Sequence, residues 1–139
     1  MKQDEIIRVK EVMKLEYDLV ESVDTVHDAL EKMRHVSTKC LIVNKKHEND
    51  EYGIVVIDDI ARHILSKNRS PYRVSIYEIM SKPAITIHPD MDIRHTSSLF
   101  DRFGLSRAPV VNRDGQLIGI VSYTDMVIKG LLRDDDERR

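Results

Sequence analysis

The sequence predicts a mixed α/β (α+β) fold built from two copies of one unit, each running strand, helix, strand, strand, helix and packed as a pseudo-symmetric pair. Three observations predict it. Val12-Met13 corresponds to Ile79-Met80, Thr25-Val26 to Asp92-Ile93, Met33 to Phe100 and Leu41-Ile42-Val43 to Ala108-Pro109-Val110, each pair 67 residues apart. Gly53-Ile54-Val55 then matches Gly119-Ile120-Val121, and Asp59-Ile60 matches Asp125-Met126, at a separation of 66, so a single residue is lost and it falls in a turn. Within each copy, helical and extended apolar periods follow one another in the same order.

In the first copy, residues 8–67, Thr25 precedes a helix in which Val26, Ala29, Leu30 and Met33 fall at i, i+3, i+4 and i+7, and Asp28 completes a capping-box-like spacing. Lys39 to Asn44 and Gly53 to Ile57 are short β-branched runs joined by the polar segment Lys45 to Tyr52, which reads as a hairpin. Asp58 then occupies a helix N-cap position ahead of Ile60, Ala61, Ile64 and Leu65 on one stripe. Residues 68–74, with Asn68-Arg69-Ser70-Pro71, link the copies.

The second copy, residues 75–132, opens on Ser75-Ile76-Tyr77-Glu78, a capping-box spacing for a short turn that ends near Met80 and that Pro83 prevents from continuing. A strand is expected over Ala84 to Ile87. The next helix runs from about Asp92 to Phe103, with Ile93, Thr96, Leu99, Phe100 and Phe103 toward the core and Gly104 suited to a left-handed cap. Ala108 to Val111 and Leu117 to Val121 flank Asn112-Arg113-Asp114-Gly115, a tight reverse turn. Residues 133–139 form a charged tail expected to fray.

Composition narrows the function. A chain of 139 residues buries roughly two-thirds of its unfolded surface and folds without staples. Cys40, the one cysteine, lies in an apolar run and reads as a buried reduced thiol, with no triad to make it a nucleophile. The net charge of −2, with basic residues matched by nearby acids, argues against nucleic acid, which calls for a basic surplus. Apolar stretches such as Leu41 to Val43 fall far below the roughly 18 to 20 residues that span a bilayer, and the charged start Met1 to Glu5 has no apolar leader. No membrane association and a cytoplasmic location are expected. Histidines 27, 35, 47, 63, 88 and 95 form no close pair, so no metal is expected. No G-x-S-x-G, P-loop or G-x-G-x-x-G occurs, and no catalytic residue is assigned. An enzyme acting on nucleotides would have only Asp125 and Asp59 as bases.

The segment that carries chemistry is Gly119-Ile120-Val121-Ser122-Tyr123-Thr124-Asp125. Ser122 ends an apolar strand while Thr124 and Asp125 begin a helix, so hydroxyls, backbone N–H groups and one carboxylate converge where phosphate is attracted. A carboxylate also accepts two hydrogen bonds from a vicinal diol. On these residues the chain, from about Val9 to Leu132, resembles a tandem pair of cystathionine-β-synthase (CBS) domains, or Bateman module. The resemblance implies a regulatory module that binds AMP, ADP, ATP or a related adenosyl ligand, requires no cofactor and is not an enzyme. It implies that Asp125 holds the ribose and that Ser122 and Thr124 belong to the same ligand-binding strand end. Ser106-Arg107-Ala108-Pro109 resembles the family segment in which Arg107 reaches phosphate and Ala108 lines the adenine pocket, and Pro83, Ala84 and Ile85 would wall the base. Without the resemblance, Asp125 reads as a helix N-cap and Arg107 as a solvated cation paired with Asp101 or Asp114.

The first copy keeps Asp59 but has Val56 for Ser122, Asp58 for Thr124 and Cys40 for Arg107. A phosphorylated ligand is disfavoured there by like charge unless Lys39 compensates, which leaves Asp59 and Lys39 as a second, weaker site more tolerant of an adenosyl ligand without phosphate. The helices after Asp58 and Ser122 keep apolar faces, and the resemblance implies a homodimer through them and a separate downstream protein. The alternative is a structural homodimerisation module whose ligand site has lapsed.

Overall fold

Thr25 starts the first helix as predicted, its hydroxyl accepting the Asp28 N–H at 3.0 Å. In the computed structural model, which describes residues 3–135, helix α1 is Val26–Lys32, with Val26 and Ala29 buried. Strands β1 (Leu19–Val20), β2 (Cys40–Val43) and β3 (Gly53–Val56) form one sheet in that order. β1 runs parallel to β2, pairing Leu19 with Ile42 and Val20 with Val43. β2 runs antiparallel to β3, from Cys40 opposite Val56 to Val43 opposite Gly53. Every residue of β2 is buried, which is why it reads as an unbroken apolar run, and Cys40 is buried within it.

Helix α2 (Ile57–Ile60) continues through a π-helical turn, Ala61–Leu65. Its N-cap is Val56 and not Asp58, because β3 runs directly into the helix and the Lys39 carbonyl accepts the Ile57 N–H at 3.0 Å. Asp58 falls in the first turn, where its charge meets the positive end of the helix. Ile60 and Ile64 are buried as predicted, but Leu65 is 78% exposed. The bond from Ser66 N–H to the Ala61 carbonyl, 3.0 Å, widens the turn and carries Leu65 off the 3.6-residue stripe.

Helix α3 (Ile93–Phe103) begins on Asp92, which accepts the Arg94 N–H, and ends on Gly104 at φ +67°. Ile93, Thr96 and Phe100 are buried, whereas Phe103, at the stripe edge on the last turn, is 53% exposed. Strands β4 (Arg107–Val111) and β5 (Leu117–Ser122) pair antiparallel from Arg107 opposite Ser122 to Val111 opposite Leu117, with an irregularity at Val110 and Val111. Asn112 Oδ1 accepts the N–H groups of Asp114 and Gln116, both at 3.0 Å, and Gly115 takes φ +78°, so the predicted reverse turn forms.

The strand expected over Ala84 to Ile87 is reduced to one parallel bridge, Ile87 to Val110. In the first copy the matching ladder is longer because Ile42 N–H donates to the Asp18 carbonyl and Asn44 N–H to that of Val20. The residue in the place of Ile42 is Pro109, which has no N–H to donate. After β5, helix α4 (Tyr123–Asp125) passes into a π-helical turn, Met126–Leu131. The cap is Ser122 rather than Asp125, since the Ser122 hydroxyl accepts the Asp125 N–H at 3.2 Å.

The described residues form two compact units: residues 16–84, and residues 85 onward together with the N-terminal stretch up to Leu15. They cut across the repeat boundaries. Ile7, Val9 and Val12 pack with Ile93, Phe100, Val110 and Val121, while Val74, Ile76 and Ile79 pack with Val26, Leu41 and Val55. Each copy's entry turn therefore completes the other copy's core, and each buried Val or Ile contributes about 1.5–3 kcal/mol there. The exchange is reciprocal in register, as Arg8 bridges Asp92 where Ser75 bridges Thr25, and Lys14 bridges Ile120 where Ser81 bridges Ile54. Ser75 N–H donates to Glu78 Oε2 at 2.7 Å, the predicted capping contact. Of the predicted tail, Arg133 pairs with Glu11 at 3.0 Å, and residues 136–139 lie outside the described residues.

A Cβ added at Gly119 would overlap the Lys14 carbonyl oxygen, whereas one at Gly53 would meet Met80 Sδ at 3.2 Å and the Ser81 carbonyl at 3.3 Å. Gly119→Ala is expected to lower stability by about 1–3 kcal/mol, the usual cost of overpacking, and Gly53→Ala by less. Urea denaturation of the two variants measures the difference.

Candidate functional site

β5 delivers Ser122 and Asp125 to one end of the β4–β5 hairpin, and α4 turns the Asp125 side chain inward until it is 5% exposed. A carboxylate that far from water needs compensation worth several kcal/mol. Ser122 Oγ donates to Asp125 Oδ2 at 3.0 Å while accepting the Asp125 N–H, so serine and aspartate hold each other. Lys14 Nζ donates to both carboxylate oxygens, at 2.7 and 2.8 Å. Lys129, one turn along the same helix, sits 3.6 Å from Oδ1 and donates to the Val12 carbonyl at 3.1 Å.

Lys14 reaches this place through its backbone. Its N–H donates to the Ile120 carbonyl at 2.8 Å and its carbonyl accepts the Ile120 N–H at 2.9 Å, a close approach that Gly119 permits. The lysine side chain is 28% exposed. Arg107 stands directly across the ladder from Ser122, with Nε donating to Ser106 Oγ at 3.3 Å. The Ser106 carbonyl accepts the Tyr123 N–H at 3.0 Å, which ties the two predicted segments together. Tyr123 lies edge-on to Phe100 at 5.2 Å and fixes the helix start against α3. Ala108 is buried opposite Val121, and Thr124 is exposed.

Arg107, Ala108, Ser122, Thr124 and Asp125 are thus gathered in one unit. Ile85 lies in the same unit, and Pro83 and Ala84 end the other, residues 16–84, where Ala84 N–H donates to the Tyr52 carbonyl at 2.8 Å. The crossing of the entry turns is the reason, since it brings Met13 and Lys14 to Gly119 and sends Ser81 to Ile54. Lys14 and Lys129 were not legible as site residues from motif matching. The available signal was a lysine after Met13 where the repeat has Ser81 after Met80.

In the first copy Val56 faces Cys40 across the ladder as Ser122 faces Arg107. Asp59, 27% exposed, pairs with Arg62 of its own helix at 2.7 Å. Asp59 first and Asp58 with it raise the Arg62 guanidinium above its ordinary pKa. Lys39 is exposed in a left-handed conformation, φ +57°. Among the described residues no cluster of three metal-ligating side chains occurs, and no helix is long and apolar enough to cross a membrane.

Two duplicated α/β units, each with a carboxylate just past its last strand, define the chain as a tandem-repeat module. The CBS-domain family model matches residues 9–66 and 76–130, and the chain belongs to that family, with two tandem copies. An uncharacterized protein of Methanopyrus kandleri is 32% identical over 122 residues, covering 87% of this chain and 61% of that protein, so the chain spans less than two-thirds of this relative. The hexameric CBS-CP12 protein from bloom-forming cyanobacteria superposes with a TM-score of 0.86 at 29% identity, over 96% of this chain and 76% of that one. A Pyrobaculum aerophilum CBS domain protein complexed with AMP shares the fold, with a TM-score of 0.77 at 16% identity, over 96% of this chain and all (100%) of that one.

Asp125→Asn leaves the Lys14 ammonium without its counter-charge and is expected to cost about 1.5–3 kcal/mol of stability. Asp59→Asn removes one more exposed pair and is expected to cost about 0–1 kcal/mol. Thermal and urea unfolding of the two variants test this ordering.

Proposed function

We infer that the chain is a regulatory module that binds an adenine nucleotide at the second-copy strand end and relays occupancy to a separate downstream protein. One observation carries the reading. A buried carboxylate, Asp125, stands beside the Ser122 hydroxyl with Lys14 and Lys129 against it and Arg107 across the ladder from Ser122, which pairs a diol acceptor with cations for phosphate. The AMP complex of the Pyrobaculum aerophilum protein supports the ligand class. Asp125 takes the ribose hydroxyls, Arg107 the phosphate, and Ala108 lines the base. In the first copy Asp58 and Asp59 lie side by side and Arg62 is already committed, so a phosphorylated ligand is disfavoured there. The module does no chemistry on the nucleotide, and incubation with ATP is expected to return it unchanged.

Asp125→Ala is expected to weaken AMP binding at least about tenfold, from loss of hydrogen bonds to a charged group worth about 1.5–3 kcal/mol. Asp59→Ala should change it much less, and Val56→Ser with Asp58→Thr should move the first site toward phosphate. Calorimetry on the folded variants decides, and equal losses from the Asp59 and Asp125 variants would refute the assignment.

A second reading, a structural homodimerisation module with a lapsed site, is favoured by the exposed apolar residues Val127, Ile128, Leu131 and Leu132 and by the satisfied state of Asp125. Both readings expect a homodimer, so light scattering should give a mass above the 16.1 kDa monomer. Thermal shift with AMP, ADP and ATP separates them, because a ligand at about 100 times its Kd adds about 2.7 kcal/mol and a lapsed site adds nothing.

A further inference from the structure

The two strand-end sites share a backbone plan and differ in charge. Lys14 and Lys129 meet Asp125 of the second, with Arg107 across the ladder from Ser122, whereas Ser81, His63 and Cys40 hold the corresponding positions of the first, with Asp58 in place of Thr124. Lys14 is the member of this set whose ammonium spends both of its short contacts on Asp125. If Asp125 is the ribose acceptor, on which this inference rests, a diol that takes the carboxylate oxygens takes them from Lys14. A partly desolvated ammonium without a counter-charge is costly, so an uncharged nucleoside gains one set of hydrogen bonds and forfeits another. A 5′-phosphate hangs one methylene from the ribose ring and supplies the missing negative charge. The long flexible stem of lysine lets the ammonium follow it.

We propose that Lys14 is the specificity-determining residue of the second-copy site, selecting nucleotides that carry a 5′-phosphate over the nucleosides that lack one. Lys129, bonded to the Val12 carbonyl and close to the same carboxylate oxygen, keeps a second positive charge in place when Lys14 moves. The first copy makes no such selection, because Ser81 carries no charge to strand and Asp59 is neutralised by a more exposed arginine on its own helix.

The test is calorimetric titration of AMP and of adenosine into the full chain, the Lys14→Ser variant and the Lys14→Gln variant, each repeated with Asp59→Ala to assign the heat to the second copy. The wild-type chain should prefer AMP. Loss of the charge-assisted contact should lower AMP affinity about tenfold while adenosine affinity holds or rises, so the preference collapses. Lys14→Gln keeps the stem and one hydrogen bond to Asp125, and it carries the comparison if Lys14→Ser unfolds. Equal weakening of both ligands would mean that Lys14 is only structural, and an unchanged preference would mean that another cation selects the phosphate; either result overturns the proposal while leaving the ribose site standing. Failure of the wild-type chain to bind either compound would instead overturn the ribose assignment itself.

Discussion

The backbone pairing of Lys14 with Ile120, matched by that of Ser81 with Ile54, is the constraint from which the remaining features follow. Each is a two-bond antiparallel contact between the end of one copy's entry turn and the strand that leads into the other copy's strand-end carboxylate. A residue without a Cβ stands immediately before each pairing partner, required at Gly119 by the Lys14 carbonyl and only tightly packed at Gly53. Once those contacts form, Val9 and Val12 are committed to the core of one unit, and Ile76 and Ile79 to the core of the other. Neither repeat holds all of its own core. The sequence separation of these partners makes the pairing costly in loop entropy, so the buried apolar side chains that accompany it must supply the stabilisation.

The same crossing determines the electrostatics of the site. Asp125 would be a poorly compensated buried charge if it depended on its own copy alone, where Ser122 gives a hydrogen bond and Lys129 a cation at 3.6 Å. The entry turn brings the short ion pair with Lys14. In the first copy the equivalent position brings a serine, and the more exposed Asp59 is balanced locally by Arg62. Duplication preserved the backbone and left the charges free to diverge, because a ladder of main-chain hydrogen bonds is indifferent to the side chains that stand at its ends.

At the strand end, a capping group and a charge-paired carboxylate are distinct residues. Ser122 satisfies the first turn of the helix, which releases Asp125 from that duty and turns its carboxylate toward cations instead. On the first copy, Val56 occupies the cap position without a side-chain acceptor, and two consecutive acids sit on the helix start. These differences in chemistry arise from residues at matched positions on nearly the same backbone.

The sequence by itself determined the duplication, the order of the elements, the helix starts at Thr25 and Asp92, the stop at Gly104 and the turn at Asn112 to Gly115, because each of these depends on neighbours within a few residues. It also placed Arg107, Ala108, Ser122 and Asp125 on one hairpin end, since strand pairing within a hairpin is local. Tertiary structure decided the rest. Pro109 shortened the expected strand to one bridge through a partner more than 20 residues away, and π-helical turns moved Leu65 out of the apolar stripe, neither of which a 3.6- or 2-residue period encodes. That Lys14, and not a residue of its own copy, compensates Asp125 across 111 positions was decided by the exchange of the entry turns. The contact depends on two chain segments meeting in space, and no local pattern of residue types records that meeting.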